Sequence, residues 1–98
     1  AWNFGPKDED CKPVSWILDK MVENWGNGAK WELDKNYNPH EAGYLKLDCS
    51  KAAMQLNWHP KWSLEYTLES IINWHQHFIS GKNIQEQCLL EIAKYQKN

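Results

Sequence analysis

Val14-Ser15-Trp16-Ile17-Leu18-Asp19-Lys20-Met21-Val22-Glu23-Asn24-Trp25 is the firmest anchor in the sequence. Val14, Ile17, Leu18, Met21, Val22 and Trp25 recur every three or four residues, which places them on one stripe of an α-helix. Pro13 sits where a helix begins, because its missing N–H would have no intrahelical partner there. Gly26 stands just past the end, where a left-handed residue usually stops a helix. One amphipathic helix is therefore expected over this stretch, with its apolar stripe against the remainder of the chain.

Working outward, the pattern changes period. Upstream, Ala1-Trp2-Asn3-Phe4-Gly5-Pro6 reads as a short strand stopped by Gly-Pro, opening without cap or polar lead-in, as if cut from a longer chain. The acidic loop Asp8-Glu9-Asp10 follows. Downstream, Trp31 and Leu33 alternate with Lys30, Glu32 and Asp34, which predicts a half-exposed strand. Residues 36–43 carry turn formers and no period, and lead into a third alternating strand, Tyr44-Leu45-Lys46-Leu47. Ser50 can cap a short helix that Asn57 and Pro60 end. Ser63 opens a longer helix on Leu64, Leu68, Ile71, Ile72, His75 and Phe78, closed by Gly81. Asn83 with Glu86 forms a capping box for a last helix with Ile84, Cys88, Ile92 and Tyr95 on one side. The expected fold class is α+β: a small lobe of about three short strands and four helices, one domain over residues 1–98.

Composition narrows the function. The chain has 98 residues, enough for one small core that buries ~65% of the unfolded surface. Its 13 aromatic residues, seven of them Trp, outnumber two Val, six Ile and one Thr, a balance that favours helices with aromatic anchors over a β-sandwich. All 11 basic residues are Lys and the net charge is −2, so a nucleic-acid groove is not expected. No apolar run is long enough for a membrane span, and no signal peptide is visible. Cys11, Cys49 and Cys88 form no metal-binding pair, and are expected to be reduced thiols in a cytoplasmic protein.

Much chemistry is missing from the sequence. Gly26-Asn27-Gly28 is the one close glycine pair, and Trp31 stands where a third glycine would complete a dinucleotide fingerprint. No Ser lies on a nucleophile elbow. A redox tyrosine acidified by a lysine four residues on is also lacking: Glu41, Asp48 and Ser70 follow Tyr37, Tyr44 and Tyr66 at that spacing. No catalytic, NAD-binding or metal-binding residue is assigned.

Several segments together resemble a known family. Trp2-Asn3-Phe4-Gly5-Pro6, Trp31-Glu32-Leu33-Asp34, Pro39-His40-Glu41-Ala42 and Tyr44 through Ala52 resemble the C-terminal third of the CDP-glucose 4,6-dehydratases, which are extended short-chain dehydrogenases/reductases. Leu56-Asn57-Trp58-His59-Pro60 is similar to that family's Leu-Gly-Trp-x-Pro element, with Asn57 in place of Gly. Trp74, Gly81, Leu90-Glu91-Ile92 and Tyr95 fit its tail. The resemblance implies a substrate-binding lobe that closes over CDP-glucose, with NAD held by an N-terminal Rossmann domain that this chain lacks. It further implies a lyase reaction in which the sugar is oxidised at C4, loses water across C5 and C6, and takes the hydride back at C6. The product, CDP-4-dehydro-6-deoxy-glucose, serves deoxysugar and lipopolysaccharide O-antigen biosynthesis. The intact enzyme is expected to be a homo-oligomer, and the fragment alone inactive.

The substrate contacts expected in this lobe are His40, Glu41 and Asn3. By resemblance, His40 occupies the place of a basic residue that faces the nucleotide diphosphate, whose field favours the imidazolium. Glu41 can accept hydrogen bonds from ribose hydroxyls, and Asn3 ends a strand facing the cofactor domain. No Arg is present for bidentate phosphate pairing. His75, on the apolar stripe, is expected to be packed and hydrogen-bonded, and Trp25, Trp31 and Trp62 to be core anchors. Two rival readings stand beside this one. One keeps the lobe and changes the nucleotide sugar, as in another epimerase or dehydratase. The other is a stand-alone carbohydrate-binding or protein-interaction module, which requires exposed, coplanar tryptophans.

Overall fold

The computed structural model describes residues 1–34 and 46–97, and among them every regular element is helical. A single 3-10 turn, Asp8–Asp10, precedes α1 (Val14–Trp25). After the undescribed segment come α2 (Ser50–Leu56), α3 (Leu64–Ile79) and α4 (Ile84–Gln96). The long helix α3 is central, with α1 against one side and α4 against another.

Side-chain acceptors fix where the helices begin. The first amides of a helix lack intrahelical partners, and at α3 two carboxylate or hydroxyl oxygens take them. Asp10 Oδ2 accepts from the Leu64 amide at 3.1 Å, and Ser63 Oγ accepts from the Tyr66 amide at 3.1 Å. The Asp8–Asp10 turn is thereby tied to the start of α3. At the other end, the Gln76 amide group donates to the Trp25 carbonyl at 3.0 Å, so α1 and α3 run in the same direction. Asn83 Oδ1 accepts from the Glu86 amide at 3.2 Å and starts α4. Gly81, with φ of 74°, supplies the left-handed residue that turns the chain from α3 into an antiparallel α4.

The packed core is small. Among the described residues the buried apolar side chains are Ala52, Leu68 and Ile72. Helix α1, in which Ile17, Leu18, Met21, Val22 and Trp25 are half-buried, packs against α3. Six of the seven tryptophans are half-buried, and Trp2 is exposed. Trp62 makes edge contacts with Tyr66 and Tyr95, and Trp74 stacks on Phe78. They therefore act as partly wet anchors.

The α+β expectation is corrected: the described residues hold no strand and no sheet. The expected strands are residues 1–6, stopped by Gly-Pro, and the alternating stretches 30–34 and 44–47. A strand requires a second backbone to exchange amide hydrogen bonds, and these segments are held by side chains instead. Trp31 is fixed by its indole N–H donating to Asp19 Oδ1 of α1 at 2.9 Å. Trp2 lies under Lys51, and Phe4 meets Trp58 edge-on at 5.1 Å. Lys46 and Leu47 are irregular, while Tyr44 and Leu45 lie outside the described residues.

Candidate functional site

A concavity lies where the N-terminal segment meets the entry to α2. It is an open cleft of about 490 Å³ whose walls include Gly5, Asp8, Lys46, Asp48, Ser50 and His59. Three contacts bring these distant parts of the chain together. Asn3 donates from its side-chain amide to the Asp48 carbonyl at 3.3 Å. Lys51 Nζ donates to the Ala1 carbonyl at 2.9 Å while lying 4.2 Å from the centre of the Trp2 ring. Lys46 Nζ pairs with Asp8 Oδ2 at 3.3 Å across the cleft.

Gly5 allows the two segments to approach. A Cβ there would stand 3.1 Å from Leu47 Cδ1 and 3.4 Å from Cys49 Sγ, tighter than ordinary packing. The absence of a side chain thus lets residues 5–8 lie directly against residues 46–50. On the same wall, Asp48 Oδ1 accepts from the Ser50 amide at 2.9 Å and from the Ser50 hydroxyl. These two bonds, hydroxyl first, hold the Asp48 carboxyl below its ordinary value, and the Lys46 charge helps.

The cleft is lined by two ammonium groups, Lys7 and Lys46, two carboxylates, a hydroxyl and an imidazole. Such a set can bind a polar, hydroxylated molecule through paired donors and acceptors. Among the described residues, no group of three or more His, Cys, Asp or Glu side chains is placed to hold a metal ion. Cys11, Cys49 and Cys88 are free thiols. No helix among the described residues is long and apolar enough to cross a membrane.

Of the residues singled out from sequence, Asn3 borders this region, where its amide ties the first segment to the Asp48 backbone. His40 and Glu41 lie outside the described residues. Sequence reasoning passed over Asp8, Lys46, Asp48 and His59 as site residues. The Gly5-Pro6 turn was the available signal, since a glycine before a proline marks a place where another segment can come close. His75 departs from expectation. It is exposed, and its neighbours are the rings of Trp25, Trp74 and Phe78, at 5.9, 6.4 and 6.2 Å between centroids.

No protein-family model matches the chain. Over 95 residues, 97% of its length, the chain is 55% identical to the CDP-glucose 4,6-dehydratase of Salmonella typhimurium, and the match spans 26% of that protein. The resemblance carried by Trp2–Pro6, Pro39–Ala52 and Leu56–Leu64 is thus a similarity along nearly the whole chain, which covers about a quarter of the relative's length.

Proposed function

We propose that this chain is the C-terminal, substrate-binding segment of an NAD-dependent CDP-glucose 4,6-dehydratase, and that it is inactive alone. The observation that carries the reading is 55% identity sustained over 97% of the chain. In this reading the segment contributes binding and closure, and the hydride chemistry belongs to the longer part of the enzyme. NAD, when bound there, accepts and returns the hydride. The residues present here do not suit that cofactor. Gly26-Asn27-Gly28 follows a helix and precedes irregular chain, whereas a pyrophosphate cradle needs a glycine turn between strand and helix.

The exposed apolar surface supports a lobe that docks on a larger partner. Trp2 and Phe4 are 41% and 50% exposed beside the cleft, and Leu47 and Leu56 expose about as much. A patch of this kind on so small a molecule marks a surface made to be covered. In the intact enzyme the N-terminal Rossmann domain covers it and completes the cleft, with CDP-glucose between the two. His40 and Glu41 then meet the diphosphate and the ribose, and Asn3 lines the edge.

The test is a chimera of the Salmonella enzyme in which this chain replaces the matching quarter. The expected outcome is conversion of CDP-glucose to CDP-4-dehydro-6-deoxy-glucose. A folded chimera that binds NAD but releases no product from CDP-glucose would count against the reading. Comparing CDP with UDP and dTDP as competitors separates it from the same lobe in another nucleotide-sugar enzyme. A free-standing sugar-binding module gains no support from the tryptophans. Those of Trp58, Trp62 and Trp74 are half-buried and engaged with other rings.

A further inference from the structure

A second, smaller pocket of about 250 Å³ lies between α3 and α4 and shares no lining residue with the cleft. Trp62, Trp74 and Glu91 line it together with Thr67 and Ser70, and no Lys or His from the described residues does. Contacts outside the pocket fix each wall. Trp62 meets Tyr66 and Tyr95 edge-on, at 4.8 and 5.4 Å between centroids. The Trp74 indole N–H donates to Cys88 Sγ at 3.2 Å, and its ring stacks on Phe78 at 5.7 Å. Gln87, only 6% exposed, donates from its side-chain amide to Glu91 Oε1 at 3.3 Å. Glu91 is half-buried, and among the described residues it makes no ion pair. Lys61, next to Trp62 in the chain, is engaged elsewhere: its ammonium lies 4.8 Å from the centre of the Tyr95 ring and donates to the Tyr95 carbonyl.

We propose that this pocket binds a small organic cation of the methylated-ammonium class. Three features select that ligand. A half-buried carboxylate gains from a cation beside it, and the described residues supply none. Indole rings attract cations through their negative faces, and methylated ammonium groups are the ligands that aromatic sites take best. The pocket's volume lies below the ~300–1,000 Å³ of sites for drug-sized molecules, which limits the ligand to a small one. A calcium or magnesium ion does not fit the same walls, because it requires several oxygen ligands and the pocket offers one carboxylate. Gln87 acts here as a positioning residue, since its buried amide holds the Glu91 carboxylate in place. The inference is independent of the dehydratase reading.

The probe is choline chloride, titrated into the 98-residue chain and followed through the indole N–H signals of Trp62 and Trp74 by nuclear magnetic resonance. Saturable shifts of both signals are expected, and sodium chloride at the same ionic strength should not reproduce them. The neutral isostere of choline, with carbon in place of nitrogen, should bind about tenfold more weakly or worse, a comparison that needs no variant. Glu91→Gln removes the charge while keeping an acceptor for Gln87, and should also weaken choline binding about tenfold or more. Glu86→Gln, at an exposed position on the same helix, removes the same charge and should leave binding unchanged. Absence of a saturable shift, or an isostere that binds as well as choline, would overturn the proposal. So would a Glu91→Gln chain that binds like the parent, or one whose loss Glu86→Gln matches.

Discussion

Asp48 and Ser50 form a closed pair at the mouth of the cleft, with both the amide and the hydroxyl of Ser50 donating to one carboxylate oxygen. The pair organises the entry to α2, whose flanking residue Cys49 offers no side-chain cap. Because the hydroxyl and amide favour the ionised form, the folded Asp48 carboxyl titrates below the ordinary 3.8. Its contribution to stability is present above the unfolded value and is lost as pH falls through the folded one. Ser50→Ala should therefore lower the urea midpoint at neutral pH, and the gap from the parent should close as pH drops below 3.8. A gap that is constant with pH would mean that the serine acts through packing alone.

Asn57 ends α2 in the left-handed region, at φ 52° and ψ 36°, and the following Trp58 amide reaches back to the Ala52 carbonyl at 3.1 Å. That closure orients Trp58 toward Phe4. Glycine adopts this conformation without a Cβ penalty, so Asn57→Gly should be neutral or stabilising by up to ~1 kcal/mol. Asn57→Val should cost about 1–2 kcal/mol, because a β-branched residue suffers most at positive φ. Chemical denaturation of the pair checks both signs.

These two positions show what the sequence made legible. Helix ends announced themselves through local chemistry: Ser63, Asn83, Gly81 and Asn57 perform the roles their residue types favour, and α1 spans the stretch that its apolar period marks. The strands were misread because period-two alternation at Trp31–Leu33 records which side chains are covered, and says nothing about a partner backbone. Trp31 is covered by a hydrogen bond to α1, with no ladder involved. The cleft was only partly legible for a related reason. Asp8 and Lys46 are far apart in sequence, and their pairing depends on a close approach at Gly5 that no local pattern encodes.

The small core makes the chain sensitive to one or two positions. Leu68 and Ile72 are 5% and 6% exposed on consecutive turns of α3, where α1 packs. Leu68→Ala should cost about 2–4 kcal/mol by lost transfer energy and the cavity left behind. Ile72→Val should cost about 1 kcal/mol. By contrast, Met54→Ala, at a side chain that is 84% exposed, should change the denaturation midpoint little. If Met54→Ala destabilised as much as Leu68→Ala, the apolar surface of α2 would have to be covered in solution.

His40 and Glu41 carry the proposed diphosphate and ribose contacts, and their chemistry makes distinguishable demands. In the active chimera, His40→Ala should raise KM for CDP-glucose about tenfold with a small change in kcat, since a binding charge acts alike on ground and transition states. The effect should fade above the imidazole pKa, near 6.5 in the free side chain, because the neutral ring no longer offers a positive charge. His40→Lys should retain affinity at the higher pH, where the parent weakens. Glu41→Gln keeps an acceptor for a ribose hydroxyl and should cost less than Glu41→Ala. If His40→Ala and the parent show the same KM at every pH, the diphosphate is held by other residues, and the cleft lysine Lys46 becomes the next to test through Lys46→Ala.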